Sequence, residues 1–183
     1  MHDEAVIIEQ ARKGSEDAFE RLVVEYHDRL MGLLMRYTHD PLQAQELEQQ
    51  TWIKVWKNLP RFKGTSSFFT WLYSIAVRTA MDYFRKVKRR SEYEYMDEVA
   101  TPDSGAVSRN PDRDMINSEL QQACERAMNQ LPEKLKMVLI LREIEGLSYK
   151  EISRVMKCRE GTVMSRLYAA RQKMQMLLKG DVA

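Results

Sequence analysis

Residues 147–171 read LSYKEISRVMKCREGTVMSRLYAAR and bring together Arg159, Thr162, Ser165, Arg166, Tyr168 and Arg171. Guanidinium groups and hydroxyls set along one helix donate to phosphate oxygens and to base edges. The segment carrying them has the pattern of helix, tight turn, helix. Ser148 is a good N-cap, and Glu151 stands where a capping box needs it. Ile152 and Val155 share one face of the first helix with Leu147 behind them. Lys157-Cys158-Arg159 is too short for anything but a turn. Val163, Leu167 and Ala170 then make an apolar face on the second helix, and Ser165, Arg166, Tyr168, Ala169 and Arg171 fall outside it. One face fixes such a helix to its partner while the other meets the major groove of duplex DNA.

A second cluster lies earlier in the chain. Phe68, Phe69, Trp71, Tyr73, Tyr83 and Phe84 adjoin the basic run Arg85-Lys86-Val87-Lys88-Arg89-Arg90. Aromatic faces beside cations suit unpaired bases, which stack on rings while the backbone meets charge, and they also suit a base flipped from the duplex. Phe68, Leu72 and Ile75 share one stripe and are expected in the core. Trp71 and Tyr73 lie off that stripe and are the better candidates for a functional role.

Other chemistry has no support. There is no paired-carboxylate site, no phosphate-cradling glycine loop, and His2, His27 and His39 are scattered. Cys124 and Cys158 have no CxxC partner or flanking His, so reduced thiols without a metal are expected. No enzyme activity, cofactor or small-molecule substrate is expected. The N-terminus is acidic with only a short apolar run, and no stretch approaches the length of a membrane span.

The elements that must position these residues are helical. The chain has 183 residues, 44% apolar and 31% charged, with few Gly and Pro. Nearly every long stretch has three-and-four spacing, so the fold class is all-α. The net charge of +2 hides a segregation. Residues 147–179 hold eight basic side chains against two acids, and residues 91–119 hold eight acids against two bases. The acidic stretch also contains Pro102, Gly105 and Pro111 and reads as a flexible linker over residues 91–112. Two small helical domains follow, residues 1–90 and 113–183, each of four helices. Asp40-Pro41 starts a helix that is acidic in its first half and carries Trp52 and Trp56 in its second.

Two stretches carry a family resemblance. Residues 43–90 resemble region 2 of the bacterial sigma-70 family, and residues 131–171 resemble region 4. The most specific pieces are FTWLYSIA at 69–76, LREIEGLSYKEI at 141–152 and GTVMSRL at 161–167. With a short linker and no region 3, the chain resembles the extracytoplasmic-function group, closest to its RpoE-like stress subgroup. The resemblance implies a sigma factor that binds core RNA polymerase and directs promoter-specific initiation in a stress or envelope response. Glu46, Leu47, Gln49, Thr51 and Trp56 would dock on the β′ clamp helices. Lys63, Ser66, Trp71, Tyr73, Arg78, Thr79, Asp82, Tyr83, Arg85, Lys88 and Arg89 would recognise and open the −10 element. Arg159, Thr162, Ser165, Arg166, Tyr168 and Arg171 would contact the −35 duplex, and the apolar start of the second domain would seat on the β flap. The resemblance also implies an anti-sigma factor, often membrane-anchored, and a cytoplasmic, nucleoid-associated protein.

The chain departs from the family pattern in three places. Met164 and Ala169 stand where basic residues are frequent. Gln43, Gln45 and Gln50 stand where acids are common on the clamp-docking helix. Arg78 replaces a small amide near the −10 pocket. The alternative is a stand-alone helix-turn-helix regulator with sensing or dimerising N-terminal helices, which leaves the aromatic-basic and acidic-aromatic helices unexplained. A sigma reading also suggests that the free chain binds promoters weakly, its two readers untethered until polymerase spaces them.

Overall fold

The computed structural model describes residues 4–94 and 115–180. The described residues form eight α-helices and no strand, in agreement with the all-α expectation. Most of the acidic segment expected as a linker, residues 95–112, lies outside them.

In the N-terminal domain, α1 (Glu4–Arg12) packs along α2 (Glu16–Thr38). Ser15 accepts the Ala18 amide and starts α2. His39 ends it in the left-handed region at φ 56°, its N–H reaching the Met35 carbonyl. Asp40 then caps α3 (Pro41–Asn58) by accepting the Leu42 and Gln43 amides at 2.9 and 3.3 Å. A 3₁₀ turn (Leu59–Arg61) and a loop lead to α4 (Phe68–Glu94), which runs past the expected end at residue 90. Leu22, Leu30, Leu33, Leu34, Leu47, Val55 and Leu72 fill the space between these helices.

In the C-terminal domain, α5 (Met115–Asn129) and α6 (Glu133–Leu139) pack on the last helix, α8 (Glu160–Gly180). The sequence predicts one helix over residues 132–145. Instead α6 widens into a π-helical turn (Ile140–Ile144), where the Glu145 amide reaches the Ile140 carbonyl at 3.1 Å. Gly146 at φ +69° turns the chain into α7 (Tyr149–Met156), a backbone conformation that L side chains rarely adopt. The expected capping box is present. The Ser148 hydroxyl takes the Glu151 amide, and the Glu151 carboxylate takes the Ser148 amide at 2.9 Å.

Those bonds to Ser148 hold the Glu151 carboxyl below its ordinary range. A depressed carboxylate contributes stability above its unfolded value, lost as pH falls through the folded one. Ser148→Ala is therefore expected to cost about 0.5–2 kcal/mol near neutral pH. The gap from the parent should shrink below about pH 4, where the unfolded carboxylate titrates. Urea unfolding at pH 7 and pH 3 checks both, and an equal gap at the two values would contradict the capping account.

The two domains are not apart. Helix α7 packs across α4. Glu145, whose side chain is only 7% exposed, sits at the seam. Its Oε2 accepts from the Tyr73 hydroxyl at 2.9 Å and its Oε1 meets Arg36 at 3.2 Å. Further along, the Lys136 ammonium lies 5.6 Å from the centre of the Tyr37 ring and donates to Asn129. Burial lowers the Lys136 pKa, against the pull of Glu133. The readers are held in contact, so the expectation of untethered readers does not describe this structure.

Candidate nucleic-acid interface

Val163, Leu167 and Ala170 are buried against the rest of the C-terminal domain, and they turn the opposite face of α8 to solvent. Arg159 is exposed in the turn before it. Thr162 and Arg166 are half-buried, Ser165 is exposed, and Tyr168 is 65% exposed. Several of these groups already have partners. Ser165 donates to the Thr162 carbonyl at 3.1 Å, and Arg166 donates to the Cys158 sulfur at 3.7 Å. Tyr168 accepts the Gln172 amide at 2.7 Å.

Arg171, expected at the −35 duplex, is exposed on α8. Its guanidinium is held by Glu143 at 2.6 Å, and its pKa is raised by that bond. It borders an open apolar groove of about 610 Å³ that includes Leu139, Ile140, Ile144, Met174 and Leu178. The sequence shows only one wall of that groove, because α8 contributes the other from far along the chain.

On the N-terminal side, the loop before α4 exposes Lys63 and half-buries Ser66. The Ser67 hydroxyl accepts the Thr70 amide and starts the helix. Trp71 is half-buried, its ring 4.9 Å from Phe62 and 5.7 Å from Phe68. Phe68 and Leu72 are buried as expected. Arg78, Arg85 and Arg89 are exposed, and Asp82 pairs with Arg85 at 3.2 Å. Tyr83 is half-buried against Phe84. The Lys88 side chain lies outside the described residues.

Tyr73 and Thr79 correct the sequence reading. Tyr73 is fully buried, and burial with the Glu145 charge pushes its phenol well above the usual range. Thr79 is 2% exposed; its hydroxyl donates to the Ile75 carbonyl and accepts from Lys54. The apolar stripe assigns α4 one packed face. The helix has more than one, because α3 reaches Thr79 through Lys54 and α7 packs across α4 from the C-terminal domain.

Helix α3 separates in the same way. Leu47 and Thr51 are buried, Thr51 bonding the Leu47 carbonyl at 2.7 Å. Trp56 is half-buried on Phe19. Glu46 and Gln49 remain exposed and, with Leu42 and Gln45, line an open groove of about 470 Å³. Leu42 is 78% exposed, a residue the sequence reading passed over. Glu48 at the groove floor is buried, taking His27 at 2.8 Å and the Trp52 indole at 3.2 Å.

The order of these surfaces has a match among known proteins. The Sigma-70 region 2 family matches residues 22–90 and the Sigma-70, region 4 family matches residues 121–174. The RNA polymerase sigma-H factor of Pseudomonas aeruginosa is 37% identical over 91% of this chain and 89% of that protein. The chain belongs to the sigma-70 family. The ECF RNA polymerase sigma-E factor of Escherichia coli K12 is 38% identical over 91% of this chain and 90% of its own length, which places this sigma-70 member in the ECF branch. Its fold is shared by CnrH in complex with the cytosolic domain of CnrY, at TM-score 0.70 and 22% identity over 98% and 99% of the two chains. It is also shared by the sigma factor RpoE bound to the anti-sigma factor NepR from Bartonella quintana, at TM-score 0.67 and 23% identity over 88% and 96%. Among the described residues, no helix is long and apolar enough to cross a membrane.

Proposed function

We propose that this chain is a sigma subunit. It binds core RNA polymerase, brings two DNA readers to one promoter and performs no bond chemistry itself. The observation that carries this reading is the pairing of different surfaces on one chain. Helix α8 turns a polar face outward from a helix-turn-helix, as duplex reading requires. Helix α4 sets half-buried Trp71 and Tyr83 among exposed Arg78, Arg85 and Arg89, as unpaired bases require.

Two further surfaces suit polymerase. Glu46 and Gln49, with Leu42 beside them, offer an acidic and apolar face to the β′ clamp helices. The groove along α6 and α8 offers an apolar seat to the β flap. Control by an anti-sigma factor is supported by the two structural relatives, one solved with an anti-sigma factor and one with a cytosolic domain. The protein acts in the cytoplasm on the nucleoid, in a stress or envelope response, with a membrane-anchored inhibitor as its restraint.

Run-off transcription tests the reading. Core polymerase with and without the chain is offered fragmented genomic DNA. New start sites that share upstream sequence are expected only when the chain is present. No new start site would end the sigma reading.

A further inference from the structure

The outward face of α8 presents two large side chains with apolar surface in its first three turns. Met164 is 56% exposed and Tyr168 is 65% exposed, while Val163 and Leu167 beside them are buried. They stand one turn apart on the same face, about 6 Å along the helix axis. The tyrosine oxygen accepts from Gln172, and the body of the ring lies exposed beside it. Met176 is more exposed than either but lies toward the far end of the helix, away from the part that enters a groove.

Polar groups around this pair each have a partner on the protein. Ser165 donates to its own helix, Arg166 turns back to Cys158, and Arg171 is held by Glu143. Exposed Arg159 sits in the turn, a place suited to a phosphate. Within the polar face of the reader, Met164 and Tyr168 are therefore two large exposed patches of apolar surface.

Only one base edge in the major groove rewards such a surface. Guanine, cytosine and adenine present donors and acceptors there, and thymine alone adds a methyl group. A thioether pressed on a guanine or cytosine edge strands polar atoms without a partner, which is costly. We propose that Met164 and Tyr168 read thymine methyl groups in the −35 duplex, so that this chain selects T·A pairs where a basic side chain would select guanine. The two contacts fall about two base-pair steps apart, since 6 Å spans roughly two rises of 3.4 Å. The proposal rests on the reading of α8 as the −35 reader.

Deoxyuridine tests it, because it removes one methyl from thymine and changes nothing else. Holoenzyme is rebuilt from core polymerase and the full chain. It is run on promoters recovered by run-off, with each thymine of the −35 element replaced singly by deoxyuridine. Open-complex formation is expected to slow about fourfold at one or two positions, the worth of one buried methyl. Met164→Ala should abolish the slowing at one position and Tyr168→Ala at the other. Both side chains are largely exposed, so the variants keep their fold, which thermal unfolding checks. Equal rates on every deoxyuridine template would overturn the proposal. So would undiminished deoxyuridine effects in both variants, or a −35 element without thymine on either strand. A holoenzyme that starts no transcription even on the thymine template would overturn the sigma reading beneath it.

Discussion

Glu145→Ala is expected to open the molecule. In the closed arrangement this carboxylate joins Tyr73 of α4 to the start of the helix-turn-helix and also meets Arg36. Hydrogen bonds to a charged, largely buried group are worth about 1.5–3 kcal/mol. Arg36 is 47% exposed, so its half of the pair contributes at the low end. The ratio of closed to open molecules should fall roughly 10- to 100-fold. Tyr73→Phe keeps the ring in place and should give a smaller shift of the same sign.

Opening matters because of DNA geometry. Elements centred near −10 and −35 lie about 25 base pairs apart, or roughly 85 Å at 3.4 Å per step. A compact chain of this length has a radius of gyration of about 16 Å. With α7 packed on α4, the two readers cannot span that distance, so the Glu145 seam must break before both elements are held. Energy transfer between dyes on the two domains measures the shift. An unchanged signal in Glu145→Ala would show that the seam is held by something else.

The second large effect is expected from Trp71→Ala. The ring is packed on Phe62 and Phe68 along one side and open on the other. Loss of a stacking platform costs about 1–3 kcal/mol per base, which converts to roughly 5- to 150-fold in opening. Duplex binding through α8 should persist, because that helix belongs to the other domain. Permanganate reactivity of the −10 thymines in the holoenzyme complex reports the bubble. Full reactivity with Trp71→Ala would remove Trp71 from the opening role, and lost duplex binding as well would point to a folding defect.

Much of this was legible from local pattern. Capping residues marked the starts of α3 and α7, because an N-cap bond spans only three residues. The buried stripe of α8 followed from Val163, Leu167 and Ala170 alone. The seam was not legible. Tyr73 looked free because periodicity reports that a face is apolar and cannot report what covers a second face. Its partner Glu145 lies 72 residues away, across the acidic segment. The partner of Arg171 was hidden for the same reason. The spacing of Arg171 placed it among DNA contacts, and Glu143, 28 residues earlier, holds its charge. Leu42 passed unnoticed because one exposed leucine in a first turn has no periodic signature. Long-range electrostatics and domain packing are what composition and spacing omit.

The central claim is that one chain reads two separated elements through polymerase, and a change of spacing tests it most directly. Core polymerase with the full chain is run on a promoter recovered by run-off and on a copy with five base pairs inserted between the elements. Five base pairs turn the −35 element by about half a helical turn. Initiation should fall at least about tenfold with either element intact on its own, since the chain then holds only one of them. Unchanged initiation on the lengthened promoter would contradict the two-reader account.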